Sequence, residues 1–276
     1  MVADMAASEA AERRKASGEG RKSEARVGTY VYGIVPADVE VSDDAGGGVG
    51  GPSAKVTVVR HDDIAALVSE LRLDRPLGTP DDLMAHEGLL DATAAEVPVL
   101  PVRFGAVVTN PEAVVEELLA PYHDEFHAAL DELEGRAEYV IKGRYVEQAV
   151  LTEIMEERPD LAELREQIKD QPEEATRDTR IQIGEIVDQA VNAKREADTQ
   201  AALDAVTPVA TLTSLRDPSH ELDAVHLAVL VETARENELE QVVDKIGERW
   251  AGRVELRVLG PLAAYDFIVA RGTGGG

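Results

Sequence analysis

Cysteine is absent from this 276-residue chain, which removes disulfide frameworks, thiolate metal sites and cysteine nucleophiles in one step and fits a reducing cytoplasm. Aromatic residues make up 4 %, so a core of this size must use most of them. No apolar run approaches the roughly 20 residues that a bilayer-spanning helix needs, and the N-terminus lacks the apolar centre of a secretory signal. Lysine is scarce as well, supplying 7 of the 28 basic residues that face 54 acidic ones, for a formal net charge of −26. Excess carboxylates repel one another and favour the compact state where salt screens them, the Debye length being about 3 Å at about 1 M. The composition therefore predicts a soluble, salt-adapted cytoplasmic protein. Disorder does not fit, because 44 % of the residues are apolar and they are patterned. Nucleic acid and lipid membranes are not expected as partners: the short cluster Arg13, Arg14, Lys15, Arg21 and Lys22 is the main basic run, and it reads as a solvated tail.

Several chemistries lack their usual motifs. There is no G-x-S-x-G elbow and no G-x-x-x-x-G-K-[ST] loop. The run Gly46 to Gly51 satisfies G-x-G-x-x-G in form, but Pro52 and a strand follow it, whereas a dinucleotide fingerprint must open a helix. Among 54 acids, chance pairing makes Asp62-Asp63, Asp81-Asp82 or Glu116-Glu117 solvated faces before it makes them a catalytic dyad. His123 and His127 stand four apart on an expected helix, the spacing at which two imidazoles can share a metal. The sequence HDEFH nevertheless has aspartate where H-E-x-x-H has its general base, and no third ligand is indicated. The reading is two solvated histidines on an acidic helix, with no catalytic, metal or cofactor residue assigned. A metal-assisted hydrolase centred on this pair is the alternative, and a ligand-binding regulatory module is a third.

The pattern of elements predicts an α+β protein of two domains. Residues 1–26 read as a flexible tail and 272–276 as a disordered glycine tail. In residues 27–135, VGTYVYGIV is a strand ending at Pro36, with Val56 to Val59 as its neighbour. Pro80 to Ala95 is a helix capped by Thr79, with Leu83, Leu90 and Ala94 at helical spacing. Asn110 and Pro111 open a second helix that breaks near Pro121. Residues 136–271 start with a strand from Ala137 to Tyr145 and enter a helical region over 147–206, broken at Arg158-Pro159 and Gln171-Pro172. Strands near Val209 to Ser214 and Ala224 to Glu232 follow, then an amphipathic helix through Leu239, Val243, Ile246 and Trp250, then strands at Arg253 to Val258 and Asp266 to Val269. Strand, helix, two strands, helix, strand is the ferredoxin-like order, here with an enlarged helical insertion.

The most unusual segment is Val97 to Val108, VPVLPVRFGAVV, which sets Arg103 and Phe104 in an apolar run punctuated by Pro98, Pro101 and Gly105. Prolines place it at a sheet edge, so it is expected as an edge strand. A guanidinium there must reach water, meet a carboxylate or face a partner. LPVRFG, preceded by a helix with His86 and by YVYGIV, resembles the gas vesicle protein F/L family. RHDDIAALVSE from Arg60, GRAEYVIKGRY from Gly135 and LGPLAAYDF from Leu259 follow that family's order, so the resemblance runs from about Tyr30 to Val269. Two features depart from it: Ala263 and Ala264 stand where a second proline is usual, and His226 stands where asparagine is common. The resemblance implies a non-enzymatic accessory or minor structural protein, nearer the L member of a halophilic organism because of its N-terminal tail. It further implies binding of the small shell protein or of other accessory proteins during vesicle nucleation. Tyr30 and Tyr32 are aromatic residues of either core or edge. Arg103, Phe104, Tyr265 and Phe267 are the candidate interaction residues, since arginine and aromatics carry interface energy when desolvated.

The charge balance makes one outcome specific. Circular dichroism should report a folded chain in about 1 M KCl and a lower melting temperature at about 0.1 M; equal melting at both would remove the salt-adapted reading.

Overall fold

A computed structural model describes residues 27–41 and 47–268. The expected tails at 1–26 and 272–276, and Val269, lie outside the described residues. The chain builds two antiparallel sheets with helices between and around them.

The first sheet is ordered β2-β3-β1-β4, with β5 also on β1. Its members are β1 (Val27–Pro36), β2 (Val56–His61), β3 (Ile64–Arg72), β4 (Leu100–Pro101) and β5 (Val107–Val108). The expected pairing of β2 with β1 does not occur, because β3 returns through the turn at Asp62-Asp63 and inserts between them. Along β3 the apolar positions alternate, Ile64, Ala66 and Val68 serving one core and Ala65, Leu67 and Leu71 another. On β1 the register slips between Val31 and Gly33, so Ile34 rejoins the face of Val31 while Tyr30, Tyr32 and Val35 occupy the other. Gly33 is needed at this slip: a Cβ there would meet the Leu100 carbonyl oxygen and Leu90 Cδ2, both at 2.8 Å.

Helix α1 (Pro80–Ala94) covers the tyrosine face. Thr79 caps it in a reciprocal box with Asp82, as expected of Thr79. Its buried residues are Asp82, His86 and Leu90, one every four, whereas Leu83 is exposed. The inward stripe thus carries two polar residues that simple apolar spacing passes over. The opposite face receives α2 (Pro111–Val114), which runs on as a π-helical turn over Val115–Leu119, and α3 (His123–Leu133). Asn110 and Pro111 start this helix, and the break falls at Ala120 to Tyr122.

The expected LPVRFG strand is corrected. Only Leu100–Pro101 and Val107–Val108 are strand, both paired with β1. Val102 still donates to the Tyr32 carbonyl and Ala106 accepts from Val31, and between them residues 103–105 turn out of the sheet, with Gly105 at φ 93°.

The second sheet is ordered β7-β8-β6-β9, from β6 (Arg136–Tyr145), β7 (Leu212–Leu215), β8 (Asp223–Glu232) and β9 (Val254–Leu262). Between β6 and β7 come α4 (Glu147–Glu157), α5 (Pro159–Ile168) and α6 (Arg177–Val206), broken at the two proline sites. At 30 residues, α6 is about 45 Å long. With α7 (Glu236–Arg249) these helices bury Val150, Ile154, Leu161, Val206 and Leu239 against Tyr139, Ile141, Leu227 and Val229. The strand expected from Val209 starts at Leu212, since the helix holds to Val206. The strand expected at Asp266 is a turn over Tyr265 to Phe267. There Asp266 turns its side chain to Arg216 and its amide to Glu138 instead of joining a ladder.

The other face of this sheet meets the first unit: Leu230 of β8 and Ala264 share one core with Val31, Ile34, Leu119 and Leu130. On the helical side, Arg253 holds Asp198 with two bonds at 3.0 and 2.8 Å and Glu153 at 2.7 Å, while the Tyr145 hydroxyl donates to Asp198 at 2.6 Å. This pins α4 and α6 to the start of β9. Arg253→Met should cost about 2 kcal/mol in urea unfolding, because it leaves a nearly buried Asp198 with one donor; a change under about 0.5 kcal/mol would demote the network to surface decoration.

Candidate functional site

The turn at residues 103–105 and the closing segment after β9 come together beside α1. Tyr30 is the hub. It is fully buried, its hydroxyl lies 3.0 Å from His86 Nδ1, and it accepts the Gly105 amide at 3.2 Å. Phe104, half-buried, stands edge-on to Tyr30 at 6.0 Å and to His86 at 5.4 Å. Tyr32 stacks on His86 at 5.7 Å, is also fully buried, and accepts the Val49 amide at 2.6 Å. Tyr30 and Tyr32 are therefore core residues, not an edge offered to a partner. The Arg103 side chain forms no hydrogen bond or ion pair among the described residues, and the residue is exposed. Of the three routes open to a guanidinium it takes the first, out to water.

Tyr265 reaches the same region from the far end of the chain. It is 40 % exposed, and partial burial, then the carboxylates of Asp91 and Glu87, then Tyr30, push its phenol up. Phe267 is half-buried in the core shared by the two sheets. The structure thus gathers Arg103, Phe104 and Tyr265 around Tyr30 and α1, and sets Phe267 behind them as packing.

The closing segment is held by groups that sequence reasoning passed over. Glu138, on β6, has a side chain with no exposed surface. It accepts from Arg216 Nη2 at 2.6 Å and from the Asp266 amide at 3.0 Å, and Arg216 Nε also donates to Asp266 at 2.5 Å. Farther along, the Ala263 amide donates to Asp91 of α1 at 3.0 Å. A proline at 263 would lack that donor, which gives a physical reason for alanine there. Gly260 is required by close approach, since a Cβ would meet Tyr139 Cδ1 at 2.6 Å. The signal available was Glu138 as the one acid of a strand whose other charges are Arg136, Lys142 and Arg144. His226 donates from Nδ1 to the Asp217 carbonyl at 2.9 Å, a bond that an asparagine amide could also make.

The glycine loop is occupied internally. Gly48 donates to the Ala54 carbonyl, Val49 to Tyr32, and Gly50 to Asp82. Asp82 also receives Arg75, Gly78 and Thr79, and the Arg75 guanidinium holds its carboxyl well below the usual range. Loop amides committed to protein acceptors beside an anion offer nothing to a pyrophosphate. His123 and His127 address different oxygens of Asp63, at 2.6 and 3.1 Å. No group of three His, Cys, Asp or Glu able to hold a metal occurs among the described residues, and no helix there is long and apolar enough to cross a membrane.

Fold and site define a two-sheet α+β protein whose buried polar groups hold distant segments together and whose aromatic turn packs on Tyr30 beside α1. Residues 28–269 match the family model described as gas vesicle synthesis protein GvpL/GvpF, and the chain belongs to that family. It is 31 % identical over 243 residues to gas vesicle protein F of Streptomyces sp. (strain CB03234), covering 87 % of this chain and 99 % of that protein. Gas vesicle protein L of the same organism is 28 % identical over 125 residues, 41 % of this chain and 46 % of that one. The crystal structure of the gas vesicle protein GvpF from Anabaena sp. PCC7120 superposes with a TM-score of 0.71 at 28 % identity, covering 87 % of this chain and 97 % of that one. The family is a gas vesicle family and not a known enzyme family. The likeness to an L member was argued from the N-terminal tail, which lies outside the described residues.

Burial pushes the Glu138 carboxyl up to about 7. A raised carboxyl favours the folded state below its unfolded value of 4.5, and this contribution is lost as pH rises through about 7. Relative to wild type, Glu138→Gln should therefore gain stability between these limits, read as a rising difference in urea midpoint. A difference that stays flat across that window would place the titration elsewhere.

Proposed function

We propose that this protein is a non-enzymatic accessory or minor structural protein of gas vesicle formation, working in the cytoplasm and at the vesicle. It binds the small apolar shell protein, other accessory proteins, or both, and so helps nucleate the vesicle. The observation that carries this reading, beside family membership, is an exposed Arg103 next to Phe104, which packs edge-on to Tyr30, together with the partly exposed Tyr265 beside the Asp91 and Glu87 carboxylates of α1. A wall subunit exposes apolar area before it is assembled, and a highly charged soluble partner with a small aromatic-guanidinium face can shield it and raise its local concentration. We also read residues 27–135 and 136–271 as two domains, the second ferredoxin-like with its helical insertion at 147–206. Its strand order supports this, as does the start of β6 at Arg136.

The rival readings have less support. A metal-assisted hydrolase needs His123 and His127 to converge on one ion, whereas each is directed at its own oxygen of Asp63. A ligand-binding module needs a pocket of converging polar groups. The two shallow hollows, at Glu173 to Ile181 and between α4 and α5, lie on the helical region away from both sheets.

The test is Arg103→Glu combined with Phe104→Ala. Capture of shell or accessory proteins in molar salt should fall about tenfold, because reversing a guanidinium at an interface sets like charges together. Folding should change little for an exposed arginine. Unchanged capture and unchanged vesicle yield from folded variants would reduce the turn to scaffold.

A further inference from the structure

Asp63 closes the β2–β3 turn, and each oxygen of its carboxylate is taken by a different imidazole of α3. His123 Nε2 lies 2.6 Å from Oδ1 and His127 Nε2 lies 3.1 Å from Oδ2. The remaining ring nitrogens face carboxylates too: His123 Nδ1 is 3.0 Å from Asp124, and His127 Nδ1 is 3.3 Å from Asp131. A neutral imidazole has one N–H and one lone pair. A ring held between two carboxylates must then aim a lone pair at an anion, and it satisfies both sides only as imidazolium. His123, hydrogen-bonded at both nitrogens to carboxylates, makes the contact a sensor of protonation.

We propose that Asp63 and His123, with His127 on the other Asp63 oxygen, form a proton-operated latch between the β2–β3 turn and α3, closed while the His123 imidazole is cationic and loosened when it loses its second proton. The surroundings favour the closed state. His61 stands edge-on to His123 at 5.8 Å, and Asp62 adjoins it on the turn. Glu116 and Glu117 lie exposed on the π-helical turn that packs against β2. Along α3 stand Asp124, Glu125, Asp131 and Glu132, with no lysine or arginine. The basic residue of β2, Arg60, is engaged with the carbonyls of Ala37 and Val39. In this setting Asp124 and then Asp63 hold the His123 imidazolium above its ordinary value, and His123 holds Asp63 below its own. The raised imidazole contributes stability at low pH that disappears as pH climbs through its folded-state value. The lowered carboxyl contributes above its ordinary value and fails in acid. The latch is therefore tightest in mildly acidic solution and opens on the alkaline side.

Opening would reach beyond the surface. The inner face of α3 supplies Leu130 and Leu133 to the core that also holds Leu230 of β8 and Ala264 of the closing segment. A helix freed at its outer edge loosens the joint between the two sheets, so solution pH is coupled to how the two units are held.

The experiment is amide hydrogen exchange on the full chain in molar KCl at about pH 6 and about pH 8.5, corrected for intrinsic rate, with a ring titration of the histidines. At the higher pH, residues 61–64 and 123–133 should lose protection by at least about fivefold. Asp63→Asn, and His123→Gln with His127→Gln, should abolish that difference, while His220→Gln should retain it. Equal protection at both pH values in the wild type, or a difference that survives Asp63→Asn, overturns the latch. If a variant does not fold, the wild-type titration decides: His123 titrating above the ordinary histidine value supports the latch, and His123 at or below that value overturns it.

Discussion

The joint between the two sheets depends on one buried ionic cluster, Glu138 with Arg216 and Asp266. Each member comes from a different part of the chain: a central strand, the exit of the edge strand β7 and the closing turn. A carboxylate without exposed surface is costly to bury unless a cation and further donors meet it. Arg216 and the Asp266 amide supply these, and in doing so they fix where the chain must pass after β9. From that point Ala263 reaches Asp91 on α1, Ala264 and Phe267 enter the shared core, and Tyr265 arrives beside Tyr30. The placement of Tyr265 is thus a consequence of an interior ion cluster in which its neighbour Asp266 meets residues distant in sequence.

Charge economy extends this logic. With about two acids for every base, an arginine has many candidate partners, and most of those near the core are committed. Arg75 serves Asp82, Arg253 serves Asp198 and Glu153, Arg216 serves Glu138 and Asp266, and Lys194 joins Glu153 and Glu157 across α4 and α6. Exposed pairs among so many carboxylates contribute little each, but these join separate elements at partly buried sites. Arg103 stands outside these networks, as Arg165, Arg177, Arg249 and Arg257 do, each with its side chain free of an ion pair among the described residues.

Local signals were legible where local physics decides. Thr79 and Asn110 mark helix starts because a cap is a contact within four residues, and Pro159 and Pro172 mark breaks because the missing donor acts at once. The strands β6 and β8 show on the page as near-continuous apolar runs because both their faces are buried, one under helices and the other against the first unit. What was hidden depends on distant partners. The insertion of β3 between β1 and β2 is a matter of pairing, and Leu83 looked as apolar as Leu90 until Asp82 and His86 were seen to own the inward stripe. LPVRFG read as a strand by residue type, yet it turns out of the sheet at Gly105. Of the site, Arg103, Phe104 and Tyr265 were visible as odd residues. Their meeting place was not, because Tyr30, Glu138 and Asp91 bring them together across separations that no window of sequence contains.

The shared core around Leu230 and Ala264 stands between two polar clusters of opposite character. On one side the Glu138 cluster is buried, with a carboxyl raised by burial; on the other, Asp63 and its histidines lie near the surface, with an imidazole raised by carboxylates. Both groups favour the folded arrangement at lower pH, because the first resists ionising and the second resists neutralising. Neither needs to move far to matter, since a packed core responds to a small shift of one wall by changing arrangement and not by yielding smoothly. The fold therefore places its two proton-sensitive fastenings on either side of the one core that spans both sheets. The aromatic face sits at the end of the segment that the inner fastening secures, so the position of Tyr265 depends on how that segment is held.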